Sequence, residues 1–105
     1  MHLAADGTLS DRKLFVQLYQ LGEAPDVFPD GIKLGPDGNF YIGLYSSPAI
    51  LVVTPDGKIS HRYTFASGGT PNMTFSADGK TMYVMAVDNT AGAPYDGRVL
   101  AQRLK

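Results

Sequence analysis

Along most of the chain apolar and polar residues alternate with the period of β-strands, and short turn signals interrupt the alternation. The clearest stretch is residues 29–45. Ile32 and Leu34 alternate with Gly31 and Lys33, Gly35-Pro36-Asp37-Gly38 forms a dense turn signal, and Phe40, Ile42 and Leu44 then alternate with Tyr41, Gly43 and Tyr45. Proline presets φ and glycine tolerates positive φ, so this pattern predicts an antiparallel hairpin. Upstream, Asp6-Gly7-Thr8 marks a turn, and Leu14, Val16 and Leu18 alternate with Phe15, Gln17 and Tyr19, which predicts a strand over 12–19. Residues 20–29, with Gly22, Pro25 and Pro29, read as a connecting loop.

Downstream, Ser46-Ser47-Pro48 turns into the continuous apolar run Ala49–Val53, the pattern of a strand buried on both faces. After Pro55-Asp56-Gly57, Ile59, His61, Tyr63 and Phe65 alternate with polar residues, as on a half-exposed outer strand. Residues 66–70 cross over to a strand begun by Met73 and Phe75, and Ser76-Ala77-Asp78-Gly79 is its hairpin turn. Met82, Val84 and Ala86 alternate with Tyr83, Met85 and Val87, a polar loop fills 88–97, and Val99, Ala101 and Arg103 alternate with Leu100, Gln102 and Leu104. No stretch carries the 3.6-residue period of a helix.

The pattern repeats. Pro36-Asp37-Gly38 recurs as Ala77-Asp78-Gly79, and Phe40-Tyr41-Ile42 as Met82-Tyr83-Val84, an interval of 41 or 42 residues. That interval suits the four-stranded blade of a β-propeller. A β-sandwich whose turns happen to repeat is the alternative.

Composition narrows the class without naming an activity. At 105 residues the chain is at most one domain, with enough length to bury a core but little margin. Hydrophobic residues at 44 % and charged residues at 18 % argue against disorder. Twelve glycines and seven prolines among short apolar runs favour an all-β fold. The net charge of −1, with both signs interspersed, gives no reason to expect nucleic acid or an anionic membrane as a partner. The absence of cysteine excludes disulfides and thiolate metal sites. No segment reaches the roughly 18 apolar residues of a membrane-spanning helix, and Met-His-Leu-Ala-Ala-Asp-Gly lacks the features of a signal peptide. A cytoplasmic location is expected if the chain is complete.

Pro29-Asp30-Gly31-Ile32, the Pro-Asp-Gly turn, Asn39-Phe40-Tyr41-Ile42-Gly43 and Tyr45 resemble the fifth blade of six-bladed propellers of the senescence marker protein/gluconolactonase/luciferin-regenerating enzyme family. The resemblance runs through nearly all of the chain, which is too short for the whole fold. It implies one propeller-like unit. Residues 1–20 are a partial blade, 30–65 a full blade and 70–105 a second partial blade. Incomplete blades expose strand edges and apolar faces that need a cover. A truncated C-terminal portion of a larger propeller is one arrangement. The expected one is self-association, because Met1 reads as a natural start and the two partial blades are complementary. Three subunits would close a six-bladed homotrimeric ring through a head-to-tail contact.

The resemblance also implies chemistry. The family holds one divalent metal at the channel entrance through a Glu, a middle-blade Asn and the Asp of Pro-Asp-Gly, and Asp30 matches the last of these. Such a metal, Ca²⁺, Mg²⁺ or Zn²⁺, polarises a lactone carbonyl and activates water. The segments carrying the family's Glu and middle-blade Asn are absent from this chain. Asn72, in Thr-Pro-Asn-Met-Thr-Phe, resembles an Asn of the family's last blade and is a second candidate for metal or substrate; Tyr45 is a candidate substrate contact. Tyr41, Tyr83 and Tyr95 either line the mouth or pack between blades.

The bland reading of Asp30 is a turn residue bonded to its own loop, as expected for Asp6, Asp37, Asp56, Asp78 and Asp96 in the other Asp-Gly pairs. His2 reads as terminal, His61 as a packed or surface residue, and Met73, Met82 and Met85 as core filler. There is no Ser-His-Asp arrangement, nucleophile elbow or phosphate-cradling loop. Three functions stand: a metal-dependent lactone hydrolase, a ligand-binding or scaffold propeller module, and an inactive fragment of a longer propeller.

Overall fold

The computed structural model describes residues 2–11, 13–18, 22–23, 27–88 and 96–104. The described chain is all β. A small hairpin, β1 (His2–Leu3) and β2 (Leu9–Ser10), stands apart. Then β3 (Pro29–Leu34), β4 (Phe40–Leu44), β5 (Ala49–Val53) and β6 (Ile59–Thr64) form a four-stranded antiparallel meander. A second meander follows, β7 (Gly69–Phe75), β8 (Thr81–Asp88) and β9 (Asp96–Arg103). One bridge, Leu44 with Thr70, links β4 to β7 and joins the two meanders into a curled sheet. This is the all-β, propeller-like sector that the alternation predicts.

One turn chemistry builds the hairpins. In the turns after Ala4, Gly35, Thr54 and Ser76, the glycine three residues on donates its N–H to that first residue's carbonyl at 2.9–3.1 Å. Gly7, Gly38, Gly57 and Gly79 have φ between 71° and 90°. A side chain in that left-handed region costs energy, and glycine avoids the cost. The aspartate before each glycine ties the turn down. Asp6, Asp37 and Asp78 accept the N–H two residues on at 3.0–3.1 Å, and Asp56 accepts the Thr54 hydroxyl. The Thr8 N–H and hydroxyl lower the Asp6 pKa, the Thr54 hydroxyl lowers that of Asp56, and the Ser76 hydroxyl with the Lys80 N–H lowers that of Asp78. Their contribution to stability is therefore present above the ordinary carboxylate range and is lost as the pH falls through the depressed folded values.

Two apolar layers hold the sheets. Ala49, Leu51 and Val53 point to one side of β5, where Ile42, Leu44, Leu18 and Val27 meet them. Ile50 and Val52 point to the other, where Tyr41 and Tyr63 pack on Met73, Met82 and Val84 of the second meander. The continuous apolar run is thus buried on both faces, as predicted. Fully burying each such side chain stabilises the fold by about 1.5–3 kcal/mol. Thr70, fully buried at the junction, donates its hydroxyl to the Ala49 carbonyl at 2.8 Å.

Four expectations change. Residues 13–18 are not a strand; their apolar side chains pack without a ladder, with Leu18 buried and Phe15 edge-on to Phe40 at 5.3 Å. No described strand pairs with them, so the pattern is present without a ladder. The crossover ends sooner than 66–70 implies, because β7 begins at Gly69. The turn expected at Asp6-Gly7 is present, but Met85, expected as core filler with Met73 and Met82, is 52 % exposed. Asp96 begins β9 rather than sitting in a turn. Tyr19, Pro25, Tyr95 and most of the 88–97 loop lie outside the described residues.

Tyr41 ties a turn to the core. Its ring is buried and meets Phe75 edge-on at 4.8 Å, while its hydroxyl donates to Asp37 Oδ2 at 3.0 Å. Burial, then the bond to the Asp37 carboxylate, raises the phenol's pKa well above its ordinary value. In the unfolded chain a phenol ionises near pH 10. The stability tied to Tyr41 is therefore full below that pH and falls as the pH rises beyond it. Tyr41→Phe is expected to lower stability by about 1 kcal/mol at neutral pH and to flatten the alkaline loss. Urea denaturation from pH 7 to 11 measures both effects, and an unchanged alkaline slope would contradict this role for the hydroxyl.

Candidate functional site

Four of the six Asp-Gly aspartates hold their own turns, and Asp30 does not. It lies on β3, in a register break between Pro29 and Ile32, with its side chain exposed. Among the described residues it makes no side-chain hydrogen bond or ion pair. The backbone around it is fixed on both sides. Tyr45 N–H donates to the Phe28 carbonyl at 3.0 Å, Phe28 N–H to Ser46 Oγ at 2.9 Å, and Ile32 pairs with Ile42.

Asn72 lies on β7, the other inner strand, at the end of a matching register break between Gly69 and Asn72. Its Oδ1 accepts the Met73 N–H at 2.9 Å and lies 3.5 Å from Lys33 Nζ. Gly31, the neighbour of Asp30, sits directly against it. A Cβ on Gly31 would stand 2.5 Å from Asn72 Oδ1 and 2.9 Å from the Pro71 carbonyl. The fold therefore brings Gly31 and Lys33 against Asn72 where β3 and β7 run side by side, with Asp30 next to Gly31 along β3. Tyr45, half exposed, follows β4 at the end of that strand where β7 begins.

A cavity of about 300 Å³ opens beside this polar cluster. Lys33, Asn72 and Thr74 supply its polar groups, and Met73, Tyr83, Met85 and Val99 its apolar wall. Lys33 and Asn72 offer an ammonium and an amide N–H₂, donors suited to a carbonyl or carboxylate oxygen, and Asp30 on the same strand offers an acceptor for hydroxyls. A smaller hollow of about 180 Å³ lies between Asp37, Tyr41 and His61. There His61 packs edge-on to Tyr63 at 4.3 Å, in keeping with the packing role read from its place on the outer strand.

Among the described residues there is no group of three His, Cys, Asp or Glu side chains that could hold an ion. Asp30 is a single carboxylate, and the Asn72 oxygen already faces the Lys33 ammonium, which would repel a cation.

The SMP-30/gluconolactonase/LRE-like region model matches residues 2–88. The chain belongs to that family. No curated protein matches the sequence. Membership in the SMP-30/gluconolactonase/LRE-like family agrees with the propeller-like meanders and with the repeat that predicts them.

Sequence reasoning missed Lys33 and Gly31. Lys33 reads as a polar residue alternating on a strand, and only the approach of β7 gives it a partner 39 positions away. A signal for Gly31 did exist: the repeat sets it in register with Asn72, although it does not show that the two touch. Tyr41 belongs to the core rather than to a channel mouth, and Tyr83 is 42 % exposed. Gly31→Ala is expected to destabilise the protein by about 1–3 kcal/mol, because the Pro71 backbone cannot yield as easily as the Asn72 side chain. It should also shift the Asn72 side-chain amide resonances. An unperturbed Asn72 in an ¹⁵N spectrum would contradict the close approach of β3 and β7.

Proposed function

We propose that this chain is a lactone-binding sector of a gluconolactonase-like propeller, with the ligand held where Asp30, Lys33 and Asn72 meet. The observation that carries the reading is the Lys33–Asn72 pair at the cavity, on the same strand as an exposed Asp30 carboxylate that does not serve a turn. A small hydroxylated lactone, or its ring-opened hydroxy acid, matches this donor and acceptor set. Lys33 and Asn72 meet the carbonyl or carboxylate oxygen, and Asp30 accepts from hydroxyls. Metal-dependent hydrolysis, the family-level expectation, needs ligands beyond those that the described residues assemble. On this reading the chain by itself binds without efficient turnover, and a hydrolase is completed only when further oxygen ligands join Asp30.

The alternative of a non-catalytic binding module draws on a specific observation, the cation already seated against Asn72. Titration with gluconolactone and with gluconate, followed by NMR, tests the ligand reading. Lys33→Ala is expected to weaken binding about 10-fold, the loss of one charge-assisted hydrogen bond, and Asp30→Ala about 3- to 10-fold. Binding unaffected by both substitutions would refute the site. Calorimetry with Ca²⁺ and Zn²⁺ addresses the catalytic extension. Tight binding abolished by Asp30→Ala would favour the hydrolase, and no binding would favour the module.

A further inference from the structure

The smaller hollow, of about 180 Å³, shares no residue with the ligand cavity, and every residue lining it belongs to the four-stranded meander. Its floor follows from the register. Tyr41 of β4 pairs with Val52 of β5, and Val52 pairs with His61 of β6. Cross-strand partners share a face of the sheet, so the three side chains form a row with the smallest in the middle. Tyr41 and Val52 are buried, and the short valine between two rings leaves the gap. Tyr63, two residues along β6 and also buried, meets the His61 ring edge-on at 4.3 Å and adds a third ring to the lining. A register shift between Val52 and Val53 makes Ser60 the extra residue of a bulge at the rim. Bulges re-aim side chains and recur beside functional sites.

The lining holds one carboxylate, Asp37, and no lysine or arginine. The ion pairs of the described residues join Lys58 to Asp56, Arg62 to Glu23 and Arg98 to Asp96, and none engages Asp37. Its oxygens are nevertheless occupied as acceptors. Oδ1 accepts the Asn39 N–H at 3.1 Å, while Oδ2 accepts the Asn39 side-chain amide at 3.1 Å and the Tyr41 hydroxyl at 3.0 Å. A carboxylate has roughly four acceptor sites, so little capacity remains. What the turn presents is a fixed negative charge beside aromatic rings. A primary ammonium needs acceptors for three N–H groups. A quaternary ammonium needs none, and charge and ring faces are what attract it.

We propose that this hollow binds a quaternary ammonium group, the head of a small choline-like cation, seated over Val52 between the Tyr41 and His61 rings with Asp37 supplying the opposite charge. The volume lies below the roughly 300–1,000 Å³ of drug-sized sites, which suits a head group rather than a whole substrate. The site stands independently of the lactone reading.

Titration of the full chain with tetramethylammonium chloride at constant ionic strength tests this, followed through the Val52 methyl and the His61 and Tyr63 ring resonances. These should shift saturably. The uncharged tert-butyl analogue of choline should bind about 10-fold more weakly than choline, and methylammonium should bind more weakly than tetramethylammonium. Asp37→Asn keeps a side-chain acceptor for the turn but loses the charge, and should weaken binding about 3- to 10-fold. His61→Leu, at a half-buried position, keeps bulk but removes one ring, and should weaken binding about 2- to 5-fold. If Asp37→Asn loses its fold by circular dichroism, His61→Leu and the comparison of choline with its uncharged analogue carry the test. Absence of saturable shifts, equal binding of the uncharged analogue, or tighter binding of methylammonium overturns the proposal. So does an affinity unchanged in both variants.

Discussion

The packing of the first meander on the second through Tyr41 is the interaction on which the rest depends. Tyr41 sits between the Asp37 turn, which holds its hydroxyl, and the layer of Met73, Met82 and Val84, which buries its ring. Without that layer the second meander would be a three-stranded sheet with little to fold against. The same packing sets β3 beside β7, and so places Gly31 and Lys33 against Asn72. Core and candidate site are two consequences of one sheet-on-sheet contact.

A stack of meanders covers each sheet only from the side where a neighbour lies. The first meander gains a second cover from Leu18 and Val27, and the second gains none among the described residues. The second meander thus has a polar inner edge, where Lys33 meets Asn72, and an outer face on which Tyr83, Met85 and Val99 are exposed.

Much of this is legible in the residues. The alternation around Pro36-Asp37-Gly38 and Ala77-Asp78-Gly79 specifies hairpins, because a side-chain period of two and a glycine at positive φ leave the chain few other conformations. The run Ala49–Val53 announces burial on both sides, since no polar residue interrupts it. Residues 13–18 show where local reading stops. Their alternation is as good as that of β8, yet a strand requires a neighbour to bond, and none of the described residues pairs with them. Asp30 shows the converse, since six Asp-Gly pairs look alike in sequence and only the fold separates a carboxylate that ties a turn from one that faces outward.

The sequence by itself determined the all-β class, the hairpin turns, the repeat and the family. These rest on local sterics and on the period with which apolar residues recur. Only the tertiary structure decided that Lys33 meets Asn72, that Gly31 must lack a side chain, that Tyr41 is buried while its repeat partner Tyr83 is exposed, and that residues 13–18 pack without pairing. Each of these depends on which strand lies beside which, and contacts between residues some 40 positions apart are set by the stacking of whole sheets rather than by any local preference.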